Sequence, residues 1–341
     1  MNQQPPLHQS LCEVTGLLDW LVHALSTKFG SIQQIETVKQ RPWSQVYRIR
    51  AERGIVYFKI CGMGRQHEAK LLQWLQPKYA GIIPEVVALD AEKGWIVMTD
   101  GGSPLRELPQ SKDYGDLSSA GLSSQERLHQ HTATLLSNYA ELQQHSLAQT
   151  DTLLKMHLPD QRLHLLSALV QNLLLTGISE NWFTQTLANQ VIDTLPIIEQ
   201  ICQDLSDTAY SAALEHGDLH TGNILVKAGQ LRICDWGDAW LTHPFCSLFP
   251  LLQDSFSPAG VLTFEPNTKK LINAYLNAWT PFAPIETLRT QFIKALYIGI
   301  VLRALNIANA LVLADEPAIR RWSPYIAKYL TQWVQWSPQI G

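Results

Sequence analysis

Apolar residues open the chain at helical spacing. Leu11, Val14, Leu18, Leu21, Val22 and Leu25 follow Ser10 and Glu13, which form a capping-box pattern. This predicts an amphipathic helix ending near Gly30. The period then changes, and Ile32–Val38, Val46–Arg50 and Ile55–Ile60 read as three strands. Their turns fall at Arg41-Pro42-Trp43-Ser44 and Glu52-Arg53-Gly54. A helix is expected from about Arg65 to Gln76, stopped by Pro77, before two more strands at Val86–Leu89 and Trp95–Met98.

Gly101-Gly102-Ser103-Pro104 reads as a hinge, because glycines and a proline break regular structure. Pro109–Ser124 is polar and reads as a surface loop. Ser123 and Glu126 then form a second capping box, and Leu128, Thr132, Leu135, Leu136, Tyr139 and Leu142 fall on one helical face. Further helical patterns run over about Arg162–Leu175, Asn181–Ser206, Thr268–Ala278 and Ile285–Leu313. The pattern divides the chain into an α+β part, residues 1–100, and a mostly helical part, residues 101–341. Trp322, Tyr325, Tyr329 and Trp333 form an aromatic stripe at helical spacing, the pattern of a core face.

The full chain has 341 residues, 46% hydrophobic and 16% charged, enough to bury a substantial core. A net charge of −4 and the lack of any Lys/Arg run argue against a nucleic-acid partner. Cys12, Cys61, Cys202, Cys234 and Cys246 are scattered and never in a Cys-x-x-Cys pair, as expected of free thiols in a reducing compartment. Met1–Ser10 has no positive charge and no apolar stretch, so no signal peptide is expected. Arg303, Asn306 and Asn309 interrupt the apolar run Ala295–Ala314, which therefore reads as a core helix rather than a membrane span. A cytoplasmic protein is expected.

The chemistry lies further along. His216-Gly217-Asp218-Leu219-His220-Thr221-Gly222-Asn223 is followed by a predicted hairpin and then Asp235-Trp236-Gly237-Asp238. Phosphoryl transfer from ATP needs one carboxylate for the acceptor hydroxyl, and an amide and a second carboxylate for Mg²⁺. Asp218, Asn223 and Asp235 have the kinase spacing for these roles. Ile224-Leu225-Val226 and Leu231-Arg232-Ile233-Cys234 read as the two strands, which would bring Asn223 and Asp235 to one edge. Oxygen ligands from neighbouring strands suit a hard cation that retains waters and adds phosphate oxygens. His216 and His220 also suggest a zinc pair, but that motif requires a Glu after the first His and a helix beneath both. Gly217 stands in that place.

At these residues the chain resembles the aminoglycoside phosphotransferase and choline kinase-like family, whose pattern His-Gly-Asp-Leu-His-x-Gly-Asn is matched from His216 to Asn223. The resemblance implies a bilobed, protein kinase-like α+β fold, with a small five-stranded antiparallel N-lobe and a larger helical C-lobe. It also implies ATP and Mg²⁺ as cofactors, Asp218 as catalytic base, and Asn223 and Asp235 as metal ligands. Val56-Tyr57-Phe58-Lys59 and His67-Glu68-Ala69-Lys70-Leu71-Leu72 look like the family's phosphate-contacting strand and its partner helix. Lys59 would then reach the phosphates while Glu68 holds it.

The nucleotide turn Gln40–Gln45 lacks the usual glycines, although Ser44-Gln45-Val46-Tyr47-Arg48 resembles the family's serine and following strand. Ser44 reads either as a phosphate ligand or as a tight polar turn. By analogy alone, backbone groups of Thr99 and Gly101 would face the purine. Asp238 reads as either a further ligand or a loop-ordering residue. The expected partner is a small hydroxylated molecule, with no nucleic acid and no membrane. No Asp or Glu follows Glu316, while Arg320, Arg321 and Lys328 do, which favours a less cationic acceptor than an aminoglycoside. The missing glycines are what supports the alternative, a non-catalytic nucleotide-binding or scaffolding protein.

Overall fold

The structure is a computed structural model and describes residues 16–62, 64–110 and 124–340. It divides into two compact units, one up to Gly101 and one from Gly102. Helix α1 (Leu17–Ser26) opens the first unit, and its buried Leu17, Leu21 and Leu25 fall on one face. The front of the predicted opening helix, with Ser10 and Glu13, lies outside the described residues.

Strands β1 (Ile32–Arg41), β2 (Ser44–Ala51) and β3 (Gly54–Cys61) lead to α2 (His67–Tyr79), β4 (Val86–Asp90) and β5 (Trp95–Thr99). They form one antiparallel sheet in the order β1-β2-β3-β5-β4. The α1 leucines pack with Ile49, Val56, Phe58, Trp95 and Val97 into one core. Burying a side chain of this size contributes roughly 1.5–3 kcal/mol.

Two boundaries differ from expectation. β1 runs on to Arg41, so the turn shrinks to Pro42-Trp43 between paired Arg41 and Ser44. Pro77 does not stop α2, which continues to Tyr79. Its missing N–H costs the one bond to the Gln73 carbonyl, and only two helical residues follow it.

In the second unit the predicted hinge contains a short strand, β6 (Ser103–Pro104), paired with Leu225 and Val226 of the predicted hairpin. Pro104 is acceptable in so short an edge strand because an edge needs no donor on its outer side. A 3₁₀ turn (Leu105–Gln110) follows. The rest of the predicted 109–124 loop, with Ser123, lies outside the described residues.

Helices α3 (Ser124–Ser146), α4 (Thr150–Lys155), α5 (Leu163–Ser179), α6 (Gln185–Asp193) and α7 (Leu195–Ser206) come next. The single helix predicted over 181–206 is two. Asn181 is left-handed, Thr184 caps α6 through the Leu187 N–H, and Pro196 sits in the first turn of α7. Proline fits there because its nitrogen would have no intrahelical partner.

Strands β7 (Ala213–Glu215), β8 (Ile224–Lys227), β9 (Gln230–Ile233) and β10 (Trp240–Thr242) carry the site, with β7 paired to β10 and β8 to β9. The chain ends through α8 (Phe249–Leu252), α9 (Pro266–Asn277), α10 (Ile285–Leu311) and α11 (Glu316–Trp336). α10 is long and apolar enough to cross a membrane, yet 72% of its most apolar window is buried inside the protein, the state of a core helix. The aromatic stripe divides: Tyr329 and Trp333 are core, whereas Tyr325 is exposed. Thus the stripe is only partly a packing face.

Candidate active site

β7 ends at Glu215 and delivers the chain into the loop 216–223, which hydrogen bonds hold closed. The Asn223 N–H donates to the His220 carbonyl (2.8 Å), and Asn223 Nδ2 donates to the Asp218 carbonyl (3.0 Å). Gly222 N–H donates to His220 Nδ1 at 2.9 Å. Gly217 has φ +78°, and a Cβ there would lie 2.0 Å from the Asp238 carbonyl oxygen. No other residue fits that approach without moving the backbone.

His216 ties the loop to the end of the hairpin. Its Nδ1 accepts from the Asp218 N–H (3.3 Å), so the Nε2 facing the Cys234 carbonyl at 3.0 Å carries the proton. Burial lowers its pKa and keeps the ring neutral. The Trp236 indole, fully buried, packs on that ring with centroids 4.8 Å apart. The tryptophan of Asp235-Trp236-Gly237 is therefore an anchor from hairpin to loop.

Asn223 directly precedes β8, and its carbonyl accepts from Cys234 N–H at 2.9 Å, which puts Asp235 one residue past the paired position. Ala228 and Gly229 turn the hairpin with positive φ at both, the turn that matches strand twist. Asp235 itself is left-handed, with φ 65° and ψ 61°. A non-glycine residue in this region is held there by its surroundings, and such strain gathers at functional sites.

The Asp218 carboxylate has one oxygen on each side of a charge arrangement. Oδ1 lies 3.0 Å from Arg303 Nη1, and Oδ2 lies 3.6 Å from His220 Nε2. Arg303 Nη1 also donates to the Gly217 carbonyl (2.9 Å), and Asn306, one turn further along α10, donates Nδ2 to the same oxygen (3.1 Å). Sequence reading took Arg303 and Asn306 only as interruptions of an apolar run. The available signal was two polar residues at i, i+3 on a helix otherwise apolar all round.

Glu215 is equally buried, and desolvation pushes its carboxyl up to about 8 against the Gly217 N–H, Ser247 and Arg303, which favour the charged form. This carboxyl sits behind the loop with Tyr139, whose hydroxyl accepts from the His216 N–H at 3.0 Å and bonds Ser247 at 2.7 Å.

The remaining predicted residues belong to the first unit. Lys59, on β3, and Glu68, in the first turn of α2, form a closed ion pair, with Nζ 2.8 Å from Oε1 and 2.6 Å from Oε2. Both are buried. Ser44 is buried at the start of β2. The close approach expected of a glycine in the turn is found instead at Gly62, after β3, whose N–H donates to the Trp43 carbonyl (2.9 Å). A Cβ on Gly62 would stand 2.6 Å from the Pro42 oxygen. The Thr99 N–H already donates to the Glu85 carbonyl (2.9 Å), so that backbone donor is committed within the unit. Gly101 is buried at the end of the unit.

Among the described residues no three His, Cys, Asp or Glu side chains form a metal cluster. An amide and one carboxylate suit a cation completed by phosphate oxygens and water. The fit is supported by Asn223, whose NH₂ is turned into its own loop, so that Oδ1 is the atom left to coordinate.

A five-stranded antiparallel sheet followed by a helical unit that holds an Asp–Asn loop and an Asp-tipped hairpin is a protein kinase-like fold. Residues 42–286 match the sequence profile of the phosphotransferase enzyme family. The chain belongs to that family, a membership that supports phosphoryl transfer to a small molecule. The fold is similar to a choline kinase from Cryptosporidium parvum Iowa II, at 12% identity over 95% of this chain and 96% of that one, with a TM-score of 0.61. It is also similar to the choline kinase LicA from Streptococcus pneumoniae, at 13% identity over 95% and 100% of the two chains (TM-score 0.55). A third similar structure is the ADP-bound aminoglycoside phosphotransferase APH(2'')-Ib, at 14% identity over 93% and 99% (TM-score 0.54). No curated protein sequence matches significantly.

Proposed function

We propose that the protein is an ATP-dependent kinase that transfers the γ-phosphoryl group to a hydroxyl of a small metabolite. The observation that carries the reading is the joint placement of Asp218, Asn223 and Asp235 around one loop and one hairpin, bridged by neutral His216. Asp218 takes the proton of the acceptor hydroxyl as that oxygen bonds the γ-phosphorus and the bond to the leaving ADP oxygen breaks. Asn223 and Asp235 would hold Mg²⁺, which when bound neutralises charge on the phosphates. Lys59, fixed by Glu68, is the phosphate-contacting cation of the first unit. Ser44 and the Thr99 and Gly101 backbone are proposed nucleotide contacts, the last two through the purine.

Arg303 pairs with Asp218, and α11 carries Arg320, Arg321 and Lys328 with no acid after Glu316. Both features favour an acceptor less cationic than an aminoglycoside. Cys61, Cys202, Cys234 and Cys246 are free thiols, in keeping with a cytoplasmic enzyme.

The test is a screen for ADP release with Mg-ATP across hydroxylated metabolites, followed by two variants. Asp218→Asn, nearly isosteric, is expected to lose about 10²–10⁴-fold in rate with Mg-ATP affinity retained. Asp235→Ala is expected to abolish the Mg²⁺-dependent rise in Tm on adding ATP. An Asp218→Asn protein as fast as the parent refutes the base. Binding of Mg-ATP with no acceptor ever stimulating ADP release favours a non-catalytic nucleotide-binding role.

A further inference from the structure

We propose that Arg303 is a positioning residue for this reaction: it pins Asp218 through Oδ1, so that Oδ2 is the oxygen presented to the acceptor hydroxyl. The inference rests on the reading of Asp218 as the base.

Even on a hydrogen-bonded loop a carboxylate left to itself can rotate about its side-chain bonds and offer either oxygen, and a base must present one along a fixed direction. Here the two oxygens are unequal. Oδ1 is buried, and it meets the guanidinium as an ion pair at 3.0 Å rather than as an aligned hydrogen bond. Oδ2 lies a looser 3.6 Å from His220 Nε2. His220 is itself oriented by the Gly222 N–H on its Nδ1.

Arg303 can act as a fixed point because α10 is a core helix. Ile300, Val301, Leu302, Ala304 and Leu305 around it are buried. Its guanidinium grips the backbone as well as the side chain, since the Gly217 carbonyl accepts from Arg303 and from Asn306. The Gly217 Cα is pressed from another direction by the Asp238 carbonyl. Two donors from one helix face thus set the peptide that leads into Asp218. A planar guanidinium can hold a carbonyl and a carboxylate together, which a lysine ammonium does with less directional control.

Four proteins form a cycle: parent, Asp218→Asn, Arg303→Met and the double variant. ADP release from Mg-ATP, with water as acceptor, and Tm without nucleotide are measured for each. Arg303→Met is expected to slow ADP release by about 10–100-fold with little change in the KM for ATP. In the Asp218→Asn background the same change is expected to cost less than about twofold, because residues acting through one another are not additive. Arg303→Lys is expected to recover part of the rate, and it serves as the second variant should Arg303→Met fold poorly. The Tm losses of Asp218→Asn and Arg303→Met are expected to fall short of additivity.

Equal slowing by Arg303→Met in both backgrounds would make the arginine merely structural and overturn the proposal, as would no slowing at all. Additive Tm losses would remove the ion pair on which it stands. If Asp218→Asn alone left ADP release unchanged, the base reading would fail and the proposal with it. That failure is separable from the others because it appears in the single aspartate variant.

Discussion

The two units each bury a cation against a carboxylate, and the two pairs are built differently. Lys59 and Glu68 are nine residues apart, with side chains 5% and 1% exposed, and the ammonium lies within hydrogen-bond range of both carboxylate oxygens. Arg303 and Asp218 come from a helix and a loop 85 positions apart, are 15% and 21% exposed, and meet through one oxygen only. The first pair consumes its carboxylate, whereas the second leaves an oxygen available. Glu68 is closed on Lys59 through both oxygens, whereas Asp218 keeps Oδ2 outside its ion pair. Closure suits a positioning pair, and a half-open arrangement suits a base.

The sharpest way to break this contrast is to remove each cation in turn. Lys59→Met strands a fully buried carboxylate and is expected to cost about 3–5 kcal/mol, seen as a large fall in the urea midpoint. Adding Glu68→Gln should recover much of that loss. Arg303→Met leaves a carboxylate that water can still reach, so its cost should be about 1–3 kcal/mol. Equal losses for the two cation removals would mean that the pairs do not differ as described.

A second test asks whether Arg303 pairs with Asp218 rather than with an ionised Glu215, which lies near it along with Asp238. Burial raises the Glu215 carboxyl to about 8. The native state therefore keeps a proton that the unfolded chain releases above about pH 4.5. Its contribution to stability is full below that pH and is lost as pH rises through about 8. Urea melts at pH 5, 6.5 and 8 should show the parent losing this contribution relative to Glu215→Gln, which has no such proton to lose. Identical pH dependence in the two proteins would mean that Glu215 is already ionised and shares Arg303.

The smallest effect concerns the hairpin that sets Asn223 against Asp235. Ala228 has φ +49°, a conformation that costs alanine more than asparagine. Ala228→Asn should raise stability by about 0.5–1 kcal/mol, measured as an increase in Tm, without altering ADP release. A fall in Tm would show that the turn depends on something other than backbone conformation.

Much of this was legible in the amino-acid order, because the relevant constraints are local. Short runs rich in β-branched and aromatic residues, bounded by turn residues, locate β1 to β5, because that composition and punctuation are written locally in the chain. The five-residue interval from Asp218 to Asn223 and the short hairpin to Asp235 fix loop geometry within one stretch of chain. Proline was harder to interpret. Pro77 is tolerated inside α2 near its end, while Pro196 starts a new helix, and which applies depends on the neighbouring caps and packing. The short partnerships of β6 with β8 and of β7 with β10 join segments remote in sequence and leave too few residues for a pattern.

What the sequence by itself determined is the family, the succession of strands in the first unit, and the candidate residues that lie within one loop or one hairpin. Tertiary structure decided which charges become buried and which carbonyls they meet. Arg303 and Asn306 are polar residues in an apolar run until α10 brings them to Gly217. Glu215 is an ordinary acid until desolvation raises its pKa. Burial and long-range pairing are properties of the packed chain, so no local spacing encodes them.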